Sequence, residues 1–270
     1  MAEAKTYIDS VKRGRILFLS LAIAIGMSIS KITQTAEITP LALVYSRAAI
    51  FFVVSYIGLL WAFRFQVNKS SLLFVLTQSS LFVFAETLFL ELFFFRKFDR
   101  VYEAFLLLAL LVLMFVGTYI SFLMANVFNV GSFKQIPLLQ VGKTTSYILS
   151  LLMVYFITFG VLASGFSLFL TVPILALAYS LTVFFHFRHM KIERKLFSSG
   201  IYSTVWGMVV LLVAVIFLGS HHELMALVPT AVMFIMPGIL MSKSQDVLKW
   251  LNIVEYLAIL GLAIGINIVG

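Results

Sequence analysis

Apolar runs long enough to cross a bilayer follow one another along nearly the whole chain, separated by short polar joints. A spanning helix needs about 20 mostly apolar residues. Nine segments qualify or come close: 16–30, 41–63, 72–95, 104–125, 147–165, 168–185, 201–218, 224–241 and 251–269. Hydrophobic residues make up 62% of the 270 and charged residues only 11%, against about 25% charge in a soluble domain. So few charges cannot cover a water-exposed surface, so lipid is the solvent for most of this chain. The expected fold is all-α: a polytopic integral-membrane helical bundle of about nine transmembrane helices, in one transmembrane domain over 1–270. No polar stretch is long enough to build a separate soluble core.

Positive charge sets the expected orientation. Residues 1–15 are polar and lead into the first apolar run without an A-x-A-like cleavage site, which predicts a retained signal anchor behind a short cytoplasmic segment. With the N-terminus in the cytoplasm, fourteen of the 19 lysines and arginines fall in cytoplasmic joints, as the positive-inside rule requires. Lys31, Arg96, Lys97 and Arg100 fall outside and Arg47 within a span. A re-entrant third segment (72–95) would bring 96–100 to the cytoplasm and reduce the count to eight spans. It would also carry the four cations of 188–195 to the outside, so nine is the preferred count. A cell membrane is the expected location. The net charge of +8 belongs to these joints, and no nucleic-acid partner is implied. The chain has no cysteine, which excludes disulfides, thiolate catalysis and cysteine-held zinc or iron–sulfur centres. No cofactor or metal site is expected.

Ionisable groups inside spans mark candidate sites, because each costs roughly 2.5–3.5 kcal/mol at a helix centre. They are Arg47, Glu86, Glu91 and Glu255. Glu91 is expected to snorkel outward beside Arg96, Arg47 to snorkel or pair with Glu86, and Glu255 to face the headgroups or Lys249. Lys31 and Thr33 are expected to snorkel or to sit among the headgroups at the end of the first span.

Several motifs are incomplete. Gly142-Lys143-Thr144 ends like a phosphate loop, but Pro137 stands where its first glycine belongs and removes a backbone N–H. His186 and His189 share a helical face at one span end, while His221 and His222 fall in a joint on the opposite side. All four are expected to be interfacial. Glu91 to Arg96 matches the E-E-x-x-x-R element of CAAX-type intramembrane proteases except at the second glutamate, and Phe185-x-x-x-His189 fits their F-x-x-x-H. The third element fails, because Met225 and Ala226 follow His221 and His222 where asparagine is required.

The polar interruption 126–146 reads NVFNVGSFKQIPLLQVGKTTS, with an Ile136-Pro137-Leu138-Leu139 core and Lys143 before the next span. This joint resembles the coupling segment of ABC-2-type transporter permeases. The resemblance covers about residues 117–165. It implies two permease copies driven by separate ATPase subunits. The segment Ser132, Phe133, Lys134, Gln135, Ile136, Pro137 through Lys143 would then lie against the ATPase. The chain departs from the family in its span count, about nine against six, and in having Asn126 and Asn129 where an acidic residue is usual. Two other readings stay open. One is a membrane-anchor subunit of a respiratory or other multi-subunit complex, with redox partners. The other is a protein similar to the CAAX-type proteases. A secondary transporter would need a broken span, for which Pro229 and Pro237-Gly238 are the candidates.

Overall fold

The computed structural model describes residues 2–33, 39–67, 72–93, 101–131, 139–190, 194–218, 221–244 and 250–269. These residues are helical almost throughout. The helices are α1 (Ala2–Ile32), α2 (Leu41–Ala62), α3 (Thr77–Phe93, entered through a π-helical turn Leu72–Leu76), α4 (Val101–Gly131), α5 (Leu139–Ala163), α6 (Leu168–Met190), α7 (Arg194–Ile216), α8 (His222–Met225), α9 (Leu227–Ser244) and α10 (Trp250–Val269). Among the described residues, nine helical segments are long and apolar enough to cross a membrane, with α8 and α9 counting as one. The chain is a multi-pass membrane protein with an all-α helical fold.

The helix limits differ from the expected spans where polar residues continue a helix beyond its apolar run. α1 begins at Ala2, so residues 2–15 of the expected N-terminal segment extend the first span as helix instead of preceding it. The polar interruption shrinks in the same way. α4 runs to Gly131 and α5 restarts at Leu139. The hydroxyls of Thr144 and Thr145 donate to the carbonyls of Gln140 and Val141 one turn back, so they need no loop to satisfy them. Gly142-Lys143-Thr144 is therefore helix, not a phosphate loop. Residues 132–138, and with them most of the expected coupling segment, lie outside the described residues. So does the cluster at 96–100.

Breakers act where stereochemistry predicts. The α5–α6 hairpin turns at Gly165 with φ 65°, a conformation that glycine adopts without penalty. The eighth span breaks at Ala226, between α8 and α9. Pro229 causes this, because its ring clashes with the carbonyl four residues back, at Met225. Pro237 lies inside α9 and does not interrupt it. α2 closes without glycine, through Arg64 and Phe65 at φ 56° and 57°, with the Phe65 N–H donating to the Leu60 carbonyl at 2.9 Å.

Packing divides the chain into two compact units, Met1–Leu149 and Ser150–Gly270, with the boundary inside α5. In unit 1, α3 packs along α2 and against α4, while α1 packs against α4 and α2. In the most apolar stretch of α3, 83% of residues are buried, against 22% in α2. α3 is thus the internal helix of its unit. Arg15, midway along α1 where its apolar run begins, donates to the Trp61 carbonyl at 3.1 Å and lies 4.8 Å above the Trp61 ring. This pairing of a cation with an amphipathic aromatic suits a membrane–water boundary. In unit 2, α7 packs between α6 and α9, and α10 packs on α9 and α8. Asn267 of α10 donates to the Leu224 carbonyl at 2.8 Å, and Thr158 and Tyr179 share a 2.7 Å hydrogen bond between α5 and α6.

Close helix approach in unit 2 depends on Gly200. A Cβ there would come within 2.7 Å of the Phe187 ring and 2.9 Å of Leu240. Gly200→Val is expected to destabilise the protein by about 1–3 kcal/mol through overpacking. Gly261→Ala, with nothing within 4 Å of the new carbon, is expected to be neutral or mildly stabilising. Thermal unfolding in detergent, followed by tryptophan fluorescence, checks both.

Candidate functional site

The polar residues of α3 do not face lipid. Gln78, Ser79, Ser80, Glu86, Thr87 and Glu91 are all buried. From Gln78 to Glu91 the helix rises about 20 Å, two-thirds of a hydrocarbon core about 30 Å thick. Side chains of four other helices meet this column at successive levels, and a backbone carbonyl of α4 joins at one of them.

At one end, Glu91 is the shared acceptor of two cations. Its Oε1 accepts from Arg47 of α2 at 3.1 Å. Its Oε2 faces the Lys31 ammonium of α1 at 3.6 Å, an electrostatic contact just beyond hydrogen-bond length. The side chains of Lys31 and Glu91 are 0% and 2% exposed, and that of Arg47 is 20% exposed. This triad corrects three expectations. Glu91 does not snorkel outward, Lys31 does not sit among headgroups, and Arg47 pairs with Glu91 instead of Glu86. The reason is common to all three. Burying one charge alone is costly, and three helix ends that meet can neutralise one another in place.

One and a half turns deeper, Glu86 is also 2% exposed. Its Oε2 accepts from the Thr118 hydroxyl of α4 at 2.6 Å. Among the described residues no cation pairs with it. α4 comes close here because residue 117 is glycine; a Cβ would fall 2.5 Å from Glu86 Oε1. Further along, Ser79 donates to the Ser121 carbonyl at 3.2 Å. The Gln78 amide reaches the Ser146 hydroxyl of α5 at 3.4 Å. The hydroxyl oxygens of Ser80 and Ser121 are buried without a hydrogen-bond partner among the described residues. Such groups are rare in a packed interior and mark places where polar species can be held.

The other sequence candidates stand apart from this column. Glu255 is exposed on α10, on a helix whose most apolar stretch is only 11% buried; Lys249 lies outside the described residues. Lys143 is half-buried near the start of α5. His186 and His189 are buried near the end of α6 instead of lying open at the interface, whereas His221 and His222 are exposed. Glu91, the first residue of the partial protease motif, is held by Arg47 and Lys31; Arg96 lies outside the described residues.

Sequence reading missed Lys31 as an ion-pair partner, and missed Thr118, Ser121 and Ser146 as partners of α3. One signal was present. The third segment carries its polar residues at 78–80, 86–87 and 91, more than a purely lipid-facing span tolerates. Comparison with protein-family models, with curated proteins and with solved structures finds no match for this chain.

Removing the shared acceptor tests the triad. Glu91→Gln leaves two cations facing each other and is expected to cost about 3–5 kcal/mol. Lys31→Met combined with Glu91→Gln is expected to recover much of that loss, because Arg47 is partly exposed and can turn to the interface. Unfolding temperatures of the single and double variants decide the matter. Equal losses would show that the ion pairs do not hold these helices.

Proposed function

We propose that the protein is an integral-membrane permease that passes a polar or charged solute along the buried column of α3. The observation that supports this reading is the column itself. A helix that only anchors a complex has no need of six buried polar side chains, two of them carboxyls, over about 20 Å of its length. Glu91 with its two cations makes a charged threshold at one end. Glu86 offers a carboxyl in the middle with no paired cation among the described residues, and the Ser80 and Ser121 hydroxyls offer further polar contacts. In this reading the N-terminus faces the cytoplasm of the cell-membrane bilayer. The segment from Ser132 to Lys143 docks a separate ATPase subunit, and two copies of the permease share the transporter. The resemblance of residues 117–165 to ABC-2-type permeases supports this arrangement, as does the positive charge of the joints on that side.

The absence of native cysteine makes the column directly testable. Ser80→Cys and Ser121→Cys, in otherwise unaltered protein in membranes, are expected to react with a small cationic methanethiosulfonate reagent. Ile50→Cys, on an exposed face of α2 (59% exposed) that lies in lipid, is expected not to react. Failure of both serine positions to label would mean a sealed column and would sink the permease reading.

The driving partner is tested separately. Purification of the full chain in mild detergent from its native membrane is expected to bring down a stoichiometric ATPase, lost in Lys143→Glu. Co-purification of redox subunits with a haem or copper spectrum would instead identify a membrane anchor.

A further inference from the structure

Unit 2 contains a feature that the column does not use. A cleft of about 520 Å³ lies between α6 and α7. Its walls include Val172, Ala176 and Ser180 of α6, with Ile201, Val205 and Val209 of α7. The surface is almost wholly apolar; the Ser180 hydroxyl is already turned back to the Ala176 carbonyl at 2.7 Å. Along α7 the lining begins at Phe197 and Ser198, and from Ser198 to Val209 it rises about 16 Å. That is half of a hydrocarbon core about 30 Å thick, or one leaflet. Tyr202 and Trp206 line the cleft and are 67% and 51% exposed, so it opens sideways, towards the bilayer.

The two ends of the cleft differ in charge. Its Phe197–Ser198 end lies one turn from the α6–α7 joint. There Arg188 and Lys195 are both exposed, and the joint sequence 188–195 carries four cations against the single carboxylate Glu193. The opposite end, at Val172 and Val209, carries no charge. A one-leaflet apolar slot with a cationic mouth matches one class of molecule in both length and charge. Each cation near a membrane surface adds about 1 kcal/mol of attraction for anionic lipid.

We propose that this cleft is the binding site of an anionic phospholipid. One acyl chain lies between Ala176 and Val205, and the phosphate headgroup sits against Arg188 and Lys195. The site is independent of the permease reading, since it needs neither a translocated solute nor a partner subunit. It would tie the activity or assembly of unit 2 to the charge of the surrounding leaflet.

The test is lipid retention by the full chain. The protein is delipidated in detergent and titrated with phosphatidylglycerol or with phosphatidylcholine of the same acyl chains. Bound lipid is counted by native mass spectrometry. The wild-type protein is expected to retain one phosphatidylglycerol in preference to phosphatidylcholine. Arg188→Gln with Lys195→Gln, two exposed positions, is expected to reduce that preference roughly 30-fold, the equivalent of about 2 kcal/mol. Ala176→Trp fills the cleft and is expected to abolish retention of the single lipid, with the unfolding temperature recorded to confirm that the variant is folded. If it is not folded, the charge variant decides alone. Equal retention of the two lipids by the wild type overturns the proposal, as does a preference that survives the charge variant. A preference lost in the charge variant but kept by folded Ala176→Trp removes the cleft as the lipid's seat.

Discussion

A membrane offers no water to a polar side chain, so a polar group on a buried transmembrane helix must find its partner within its own helix, as Thr87 does at the Val83 carbonyl, or on another helix. That constraint organises unit 1. Lipid tails are as apolar as leucine, so hydrophobic burial does little to bring one span against the next. α3 supplies what hydrophobicity does not. It reaches α1 and α2 through Glu91, α4 through Glu86 and Ser79, and α5 through Gln78. Packing density then follows from polar pairing. The glycine at 117 is the clearest case, since it makes room for the Glu86 carboxyl that Thr118 holds.

The two carboxyls of α3 show how environment separates chemically identical groups. They are five residues apart on one helix, and so are rotated by about 140° about its axis. Glu91 points to where two helix ends bring cations, and its charge is compensated on the spot. Glu86 points at α4 and receives a single hydroxyl. The first arrangement locks helices together, because losing either side leaves an uncompensated buried charge. The second places a carboxyl at depth with capacity for a further partner. One helix therefore combines a structural clamp with a chemically available group.

In unit 2, as at Ser20, Ser28 and Ser55 of unit 1, many hydroxyls are satisfied within their own helix. Ser180, Thr182, Thr204 and Thr230 turn back to carbonyls of their own helices, so they satisfy themselves and ask nothing of a neighbour. Links between helices include the Thr158–Tyr179 and Asn267–Leu224 bonds. This leaves broad apolar faces on α6, α7 and α10, and lipid is their natural solvent. Helices whose polar groups are satisfied internally can stand apart and leave a slot one leaflet deep. Helices such as α3, whose polar groups need partners, cannot.

Hydropathy alone was enough to specify the all-α membrane class and the nine apolar segments long enough to span. Each of these depends on a window of neighbouring residues and its transfer from water to lipid. The helix ends were less legible, because Ala2–Arg15 and Leu139–Ser146 are polar yet helical, and polarity is not what stops a helix. Arg47, Glu86 and Glu91 could be singled out in the sequence because charge within a span is costly wherever it lies. Their partners could not be. Depth along two helices made Arg47 a plausible partner for Glu86, but the 140° rotation between the carboxyls lets only Glu91 meet it. Lys31, which reads as a headgroup residue, is buried because α1, α2 and α3 converge at that end. Which helix faces which, and at what rotation, is a property of the packed bundle; no local window of residues encodes it.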